Sequence, residues 1–139
     1  MAAIGTRKLV LTIDGEDVTT EVSSAVITSK EAKTDFVSFA QAAAGGGREY
    51  ALKLKFVQDA DSASLWSKIW AAAGTDVPIV IKPQGAVAAS ASSPWFSGTA
   101  TVTEPDGDFL GGDADASTSA RFVTEAEWIF LAKPTKVVT

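Results

Sequence analysis

The chain has no cysteine and no histidine among its 139 residues. The first absence excludes disulfides, thiolate nucleophiles and cysteine-based zinc sites. The second removes the commonest general base near neutral pH, and with it any serine–histidine–aspartate relay. Basic residues are few, 12 against 17 acidic ones, for a formal net charge of −5. Nothing gathers them into the stripe that holds nucleic acid by counterion release, so no stable nucleic-acid binding is expected. An acidic surface past which a polyanion slides is compatible with this charge. Long hydrophobic runs are missing too: none approaches the ~18 apolar residues of a membrane helix. Met1 to Lys8 holds no apolar stretch of signal-peptide length. A soluble protein made in the cytoplasm, with no membrane partner, is the expectation.

What is present is a balanced globular composition, 46% apolar. A chain of this size buries roughly 68–70% of its unfolded surface and needs no staple, so a single domain over residues 1–139 is expected. Two alternating segments dominate. In Tyr50-Ala51-Leu52-Lys53-Leu54-Lys55-Phe56 the large apolar residues fall on even positions and the lysines on odd ones. In Ala120–Phe130 the rings Phe122, Trp128 and Phe130 share one face, and Arg121, Glu125 and Glu127 the other. A period of two predicts strands with one buried and one wet face.

Leu9, Leu11 and Ile13 predict a first strand, closed by the turn pair Asp14-Gly15. Asp17 to Thr28 predicts a second, with Val18, Val22 and Val26 pointing inward. A long extended loop (about 30–48) follows, carrying Phe36, Val37 and Phe39 and then three glycines. Asp59-Ala60-Asp61-Ser62 is placed to cap a helix (about 61–73). Its Leu65, Trp66, Ile69, Trp70 and Ala73 form one apolar stripe that covers the sheet, and Gly74 stands at a left-handed C-terminal cap. Val77–Pro83 is a strand bracketed by prolines, which predicts an edge position or a strand start. Trp95–Thr103 is a further strand. Residues 1–7 form an N-terminal arm and 133–139 a C-terminal tail. The expected fold is mainly β, an antiparallel β-sandwich or half-barrel with one flanking helix.

Candidate chemistry is sparse. The acidic stretch from Asp106 to Asp115 breaks the EF-hand spacing, because Leu110 follows Phe109 where a third ligand belongs, so a solvated turn is expected and no metal. Ser97-Gly98 lacks the nucleophile-elbow frame, and Gly45-Gly46-Gly47 is not followed by the Lys-Ser/Thr of a phosphate loop. Carboxylates are plentiful, yet no aromatic-lined cleft is hinted at around any pair of them. No catalytic residue and no cofactor is expected; binding or assembly is left. Phe36 and Phe39 in the loop are rings that a single copy is not expected to bury, which favours a partner.

The strand Tyr50–Val57, the helix segment Leu65–Trp70, Pro78–Pro83, Pro94–Ala100 and the closing Ser119–Trp128, with its aromatic-x-x-x-x-x-Trp pattern, together resemble the major tail tube protein of long flexible-tailed bacteriophages, particularly those of actinobacterial hosts. The resemblance runs from about Lys8 to Val138. It implies a non-enzymatic virion subunit, assembled in the host cytoplasm, that polymerises as stacked, hexameric rings into a hollow tube for genome passage. Implied partners are further copies of the chain, the tape measure protein, the tail terminator and tail-tip proteins; DNA passes transiently. Candidate contacts between subunits or rings are Phe36, Val37, Phe39, Arg48 and Arg7. Candidate bore-facing residues are Glu125, Glu127, Lys53 and Lys55; acids lining the bore would repel phosphate, and the two lysines would weaken that effect if they shared the lining. The isolated chain is expected to stay monomeric until assembly is nucleated, since ordering the loop costs on the order of 1–2 kcal/mol per residue. Other virion β-domains (a tail terminator or head–tail connector) and a non-catalytic ligand- or carbohydrate-binding sandwich fit the same fold class.

Overall fold

The computed structural model describes residues 3–32, 36–44 and 47–139. Among them are eight strands: β1 (Val10–Ile13), β2 (Glu16–Asp17), β3 (Val22–Glu31), β4 (Arg48–Val57), β5 (Asp76–Lys82), β6 (Trp95–Thr101), β7 (Val123–Ile129) and β8 (Thr135–Val137). Two helices, α1 (Phe39–Ala43) and α2 (Leu65–Ala72), complete the set. The strands form two antiparallel sheets, one ordered β2-β1-β5-β6-β8 and the other β3-β4-β7. The architecture is the expected sandwich with a helix on its flank.

The alternation written into β4 and β7 sets the core. Leu52, Leu54 and Phe56 from β4, with Ala126 and Trp128 from β7, face Leu11, Ile13, Ile79, Ile81 and Ala100 of the other sheet. The two sheets join where β7 ends: Phe130 N–H donates to Tyr50 O of β4, and the next residue, Leu131, donates to Thr99 O of β6. Trp128 is fully buried, and its indole N–H donates to Thr103 O at 3.2 Å, so this large ring is buried without an orphaned donor.

The β1–β2 hairpin turns on Asp14 (φ 52°) and Gly15 (φ 80°), both left-handed, as the two-residue turn requires. Helix α2 starts at Ser64 rather than at the aspartates before it. The Ser64 hydroxyl accepts from Ser67 N–H and donates to Asp59 O, while Asp59 and Asp61 carboxylates take up the Asp61 and Ala63 amides of the approach turn. Leu65 and Ile69 close one end of the core. Gly74 does adopt a positive φ of 93° after the helix, and its N–H goes to Val102 O.

Four expectations are corrected. Val26 is 48% exposed, because a bulge between Val22 and Ser24 inserts a residue and flips the inward set from Val18 and Val22 to Ala25 and Ile27. Strand β5 is the centre of its sheet, which overturns the edge alternative for its prolines, while Pro78 stands near the start of the strand. Pro78 O accepts from Asp14 N, so the nitrogen of Pro78 also faces β1, and β1 ends one pair earlier at Ile13–Ile79; no ladder bond is lost. Phe122 is 45% exposed and precedes β7 instead of lying on its buried face. The C-terminal tail at 133–139, a terminus expected to be mobile in a lone copy, contributes β8, which pairs with Trp95–Ser97 of β6.

Candidate functional site

The two sheets treat their margins differently. The five-stranded sheet ends in stubs, β2 of two residues and β8 of three. The three-stranded sheet ends in β3, ten residues, and β7, seven. Register fixes which backbone groups those long margins leave open. Phe130 N–H and Gln58 N–H mark the hydrogen-bonded pairs of β4 with β7, so Thr124, Ala126 and Trp128 face β4 with their backbone. The N–H and C=O groups of Glu125, Glu127 and Ile129 therefore point outward. On the other side Ala32 N–H bonds Gly47 O, so Ser24, Val26, Thr28 and Lys30 face β4, and Ala25, Ile27 and Ser29 point outward. The 104–108 segment lies beside β7 but gives it no backbone hydrogen bond among the described residues.

The wet face of this sheet carries all four charged residues assigned to a bore. They form two cross-strand rows, Val26–Lys53–Glu127 and Ser24–Lys55–Glu125. Lys53 and Lys55 thus share this sheet face with the two glutamates, and the four charges balance. The acidic surplus comes from Glu104, Asp106 and Asp108, which border the same open trough of about 800 Å³. Among the described residues no three acidic side chains converge to hold a metal ion. The acidic 106–115 stretch is instead tied down by backbone contacts: Gly111 N–H donates to Gln58 Oε1 and Asp115 Oδ1 accepts from Ser117 N–H.

The loop between β3 and β4 is shorter than its sequence bounds, because Lys30, Glu31 and Arg48 are paired in the ladder. It contains α1, a single capped turn: the Ser38 hydroxyl accepts from Gln41 N–H and the Gln41 side chain accepts from Ser38 N–H. None of α1 is buried, and Phe39 is 97% exposed. Phe36 and Val37 beside it are exposed as well. Arg48 donates to the Ser29 hydroxyl at the root of the loop, and Arg7 is exposed at the other end of the sequence. Residues 33–35 and 45–46 of the loop, and 1–2 of the N-terminal arm, lie outside the described residues.

A second apolar surface escaped sequence reasoning. Trp66 and Trp70 of α2 close on Phe109, with ring centroids 5.8 and 4.8 Å from it. Trp66 Nε1 donates to Phe109 O at 2.8 Å. Trp70 nevertheless stays 55% exposed, and Leu110 next to Phe109 is 69% exposed. The helical stripe signalled a core role for both tryptophans; only the contact with a distant loop shows that Trp70 is left at the surface.

Comparison with protein-family models finds no match, and comparison with curated protein sequences finds none either.

Proposed function

We propose that this chain is a structural subunit that assembles with copies of itself, of the kind the sequence resembles: a tail tube protein whose rings stack into a hollow conduit for DNA. The observation that carries this reading is the pair of long open margins on β3 and β7, opposed to the stub edges of the other sheet. A free protein with two such margins is prone to edge pairing, and joining β7 of one copy to β3 of the next satisfies both at once. Such a junction is heterologous, and a heterologous contact closes into a ring when its rotation permits.

In a ring of this kind the three-stranded sheets run on into one another, and the face bearing Lys53, Lys55, Glu125 and Glu127 becomes a continuous lining. Those lysines stand opposite the glutamates across the strands, which leaves little net charge to grip phosphate, and the bordering acids repel it. Function on this reading is mechanical and not enzymatic, and the partners are the chain itself and the proteins at the two ends of a tube. Negative-stain microscopy of the concentrated protein tests it. Rings or tubes with a central hole are the expected result. Solitary particles at every concentration, with or without a virion extract to nucleate assembly, would refute it.

A further inference from the structure

The β7 margin is unpaired but not bare. We infer that residues 104–108 are a displaceable cover on it, an arch that stands where β3 of another copy must lie and that swings aside when that copy arrives. The inference rests on the self-assembly reading and adds what holds a lone copy back from pairing. Its basis is the course of the chain after β6. Thr103 O accepts from Trp128 Nε1, and Phe109 O accepts from the Thr124 hydroxyl. Trp128 and Thr124 are both buried on the core side of β7, so the two ends of the segment lie on that side. Glu104, Asp106 and Asp108 between them border the trough on the wet side. A segment with its ends on one side of β7 and its middle on the other passes round the outer edge of the strand, because β4 fills the inner edge. A strand added to that outer edge would lie about 4.8 Å from β7. The arch occupies this slot, beside Glu125 and Glu127.

The arch is fixed at its ends and loose between them. At the far end Phe109 O also accepts from Trp66 Nε1, and Gln58 and Gly111 exchange two hydrogen bonds. At the near end Val102 is buried, its N–H on Thr75 O and its carbonyl accepting from Gly74 N–H. Between these anchors residues 104–108 make no hydrogen bond among the described residues, and all but Pro105 are exposed. Nothing lies within 4 Å of the place a Cβ would take on Gly107, so the crown of the arch stands clear of its neighbours. A span with so few contacts opens at low cost. Charge loosens it further: its three acids share the trough with Glu125 and Glu127, against only Lys53 and Lys55. Covering an edge with a loop is one way a sheet avoids unwanted pairing. Each junction needs both β7 and β3, so a cover on β7 alone holds every such junction in check. If the open form is about a tenth of the lone population, the apparent junction is about tenfold weaker than the pairing itself.

The absence of native cysteine makes the arch easy to lock. In full-length K55C/D106C both positions are exposed and border the trough, and a reducible bismaleimide joins them within one copy, as mass spectrometry verifies. The linked chain is expected to be folded by circular dichroism and to form no rings at concentrations where the same sample forms them once the link is reduced. A linked chain that still forms rings overturns the cover and leaves the ring reading standing. So does a pair that links only between copies, because the arch then does not overhang the trough. A second variant leaves both margins untouched. Gly-Ser inserted after Gly107 lengthens the arch and is expected to lower the concentration needed for rings by up to about tenfold. A threshold that is unchanged or raised in this variant overturns the cover. Rings from neither the parent nor either variant sink the ring reading, and the cover with it.

Discussion

Adjacent residues on β7 should respond oppositely to proline. Glu127 has its side chain on the wet face and its N–H pointing away from β4, into the open margin; Ala126 has its N–H on Leu54 of β4 and its methyl in the core. Proline at 127 removes no ladder bond of the single copy, and its main cost is drawing φ from extended values toward about −65°, roughly 1 kcal/mol. That shifts Tm by roughly 3–5 °C in a domain of this size. Proline at 126 deletes a central ladder bond and disturbs the packing around Trp128, at about 3 kcal/mol or more. Assembly reverses the order of interest. The outward backbone of Glu125, Glu127 and Ile129 offers the next copy three donors and three acceptors. E127P removes the middle donor and pushes its partner carbonyl away, a loss of about 2 kcal/mol per junction at about 1 kcal/mol per hydrogen bond. This is roughly a thirtyfold weaker junction, repeated at every interface of a ring. Sedimentation velocity and negative-stain microscopy read assembly, and circular dichroism reads the fold. E127P is expected to be a folded chain that forms no rings, and A126P an unfolded or strongly destabilised one. If E127P unfolds as readily as A126P, the assigned register parity is wrong. If it is folded and assembles like the parent, the β7 margin is not the junction.

Trp128→Phe loses the indole bond to Thr103 O and part of a fully buried ring. It should cost about 2–3 kcal/mol in urea unfolding; a loss under about 1 kcal/mol would show that the site collapses around the smaller ring. Glu21 has its carboxyl held above the ordinary value of 4.5 by burial, against the hydrogen bond it accepts from Leu65 N–H, with Asp59, Asp61 and Glu16 pushing the same way as burial. A raised carboxyl pKa favours the protonated folded state, so this stabilisation is complete below the unfolded pKa and is lost as pH rises through the folded one. Glu21→Gln, which keeps an acceptor for Leu65, should therefore raise Tm at pH 7 and lose that advantage near pH 4; a gain that is the same at both pH values would refute the assignment. Lys55→Glu sets two glutamates opposite each other on β4 and β7. It should destabilise the chain by about 0.5–1 kcal/mol at low salt, recovering as salt is added; an effect indifferent to salt would mean the side chains turn apart.

The alternations of β4 and β7 were legible because each keeps strict parity over its length, so Leu52, Leu54, Phe56 and Trp128 declared themselves as core. The Asp14-Gly15 turn was legible because few pairs tolerate two positive φ values in succession. Val26 was not, since parity survives only until a bulge, and nothing in Val-Ser-Ser-Ala announces one. The place of β5 was not, because what matters about Pro78 is where a neighbouring strand stops, and that is a property of β1. The candidate assembly surfaces divide in the same way. Lys53 and Glu127 are far apart in the chain, and their shared face depends on a register no local pattern encodes. Phe39 and Phe36 could be singled out as unburied rings from the loop that holds them. Trp70 could not, because its helix spacing matches that of Ile69, and the two separate only when the Phe109 loop packs against α2.

Strand count constrains how copies can join. Both β3 and β7 are antiparallel to β4, so they run parallel to each other. Cyclic rotation about an axis along the strands leaves every copy pointing the same way, and β7 of one copy must then meet β3 of the next in parallel. Parallel pairing is slightly weaker per residue than antiparallel pairing. The competing contact, β3 against β3 across a two-fold axis, is antiparallel and ends at a dimer. The bulge between Val22 and Ser24 bears on this competition. It twists away the end of β3 nearest α2 and leaves Ala25, Ile27 and Ser29 as the usable margin, at the same end as Ile129 of β7 in the ladder. In the dimer the bulged end of each strand opposes the usable end of its mate, so pairing is cut short at both ends and only the stretch around Ile27 is left. In the ring β3 meets β7, which carries no bulge against β4, so the junction is cut short at one end alone. A margin shortened at one end thus costs the dimer more than the ring.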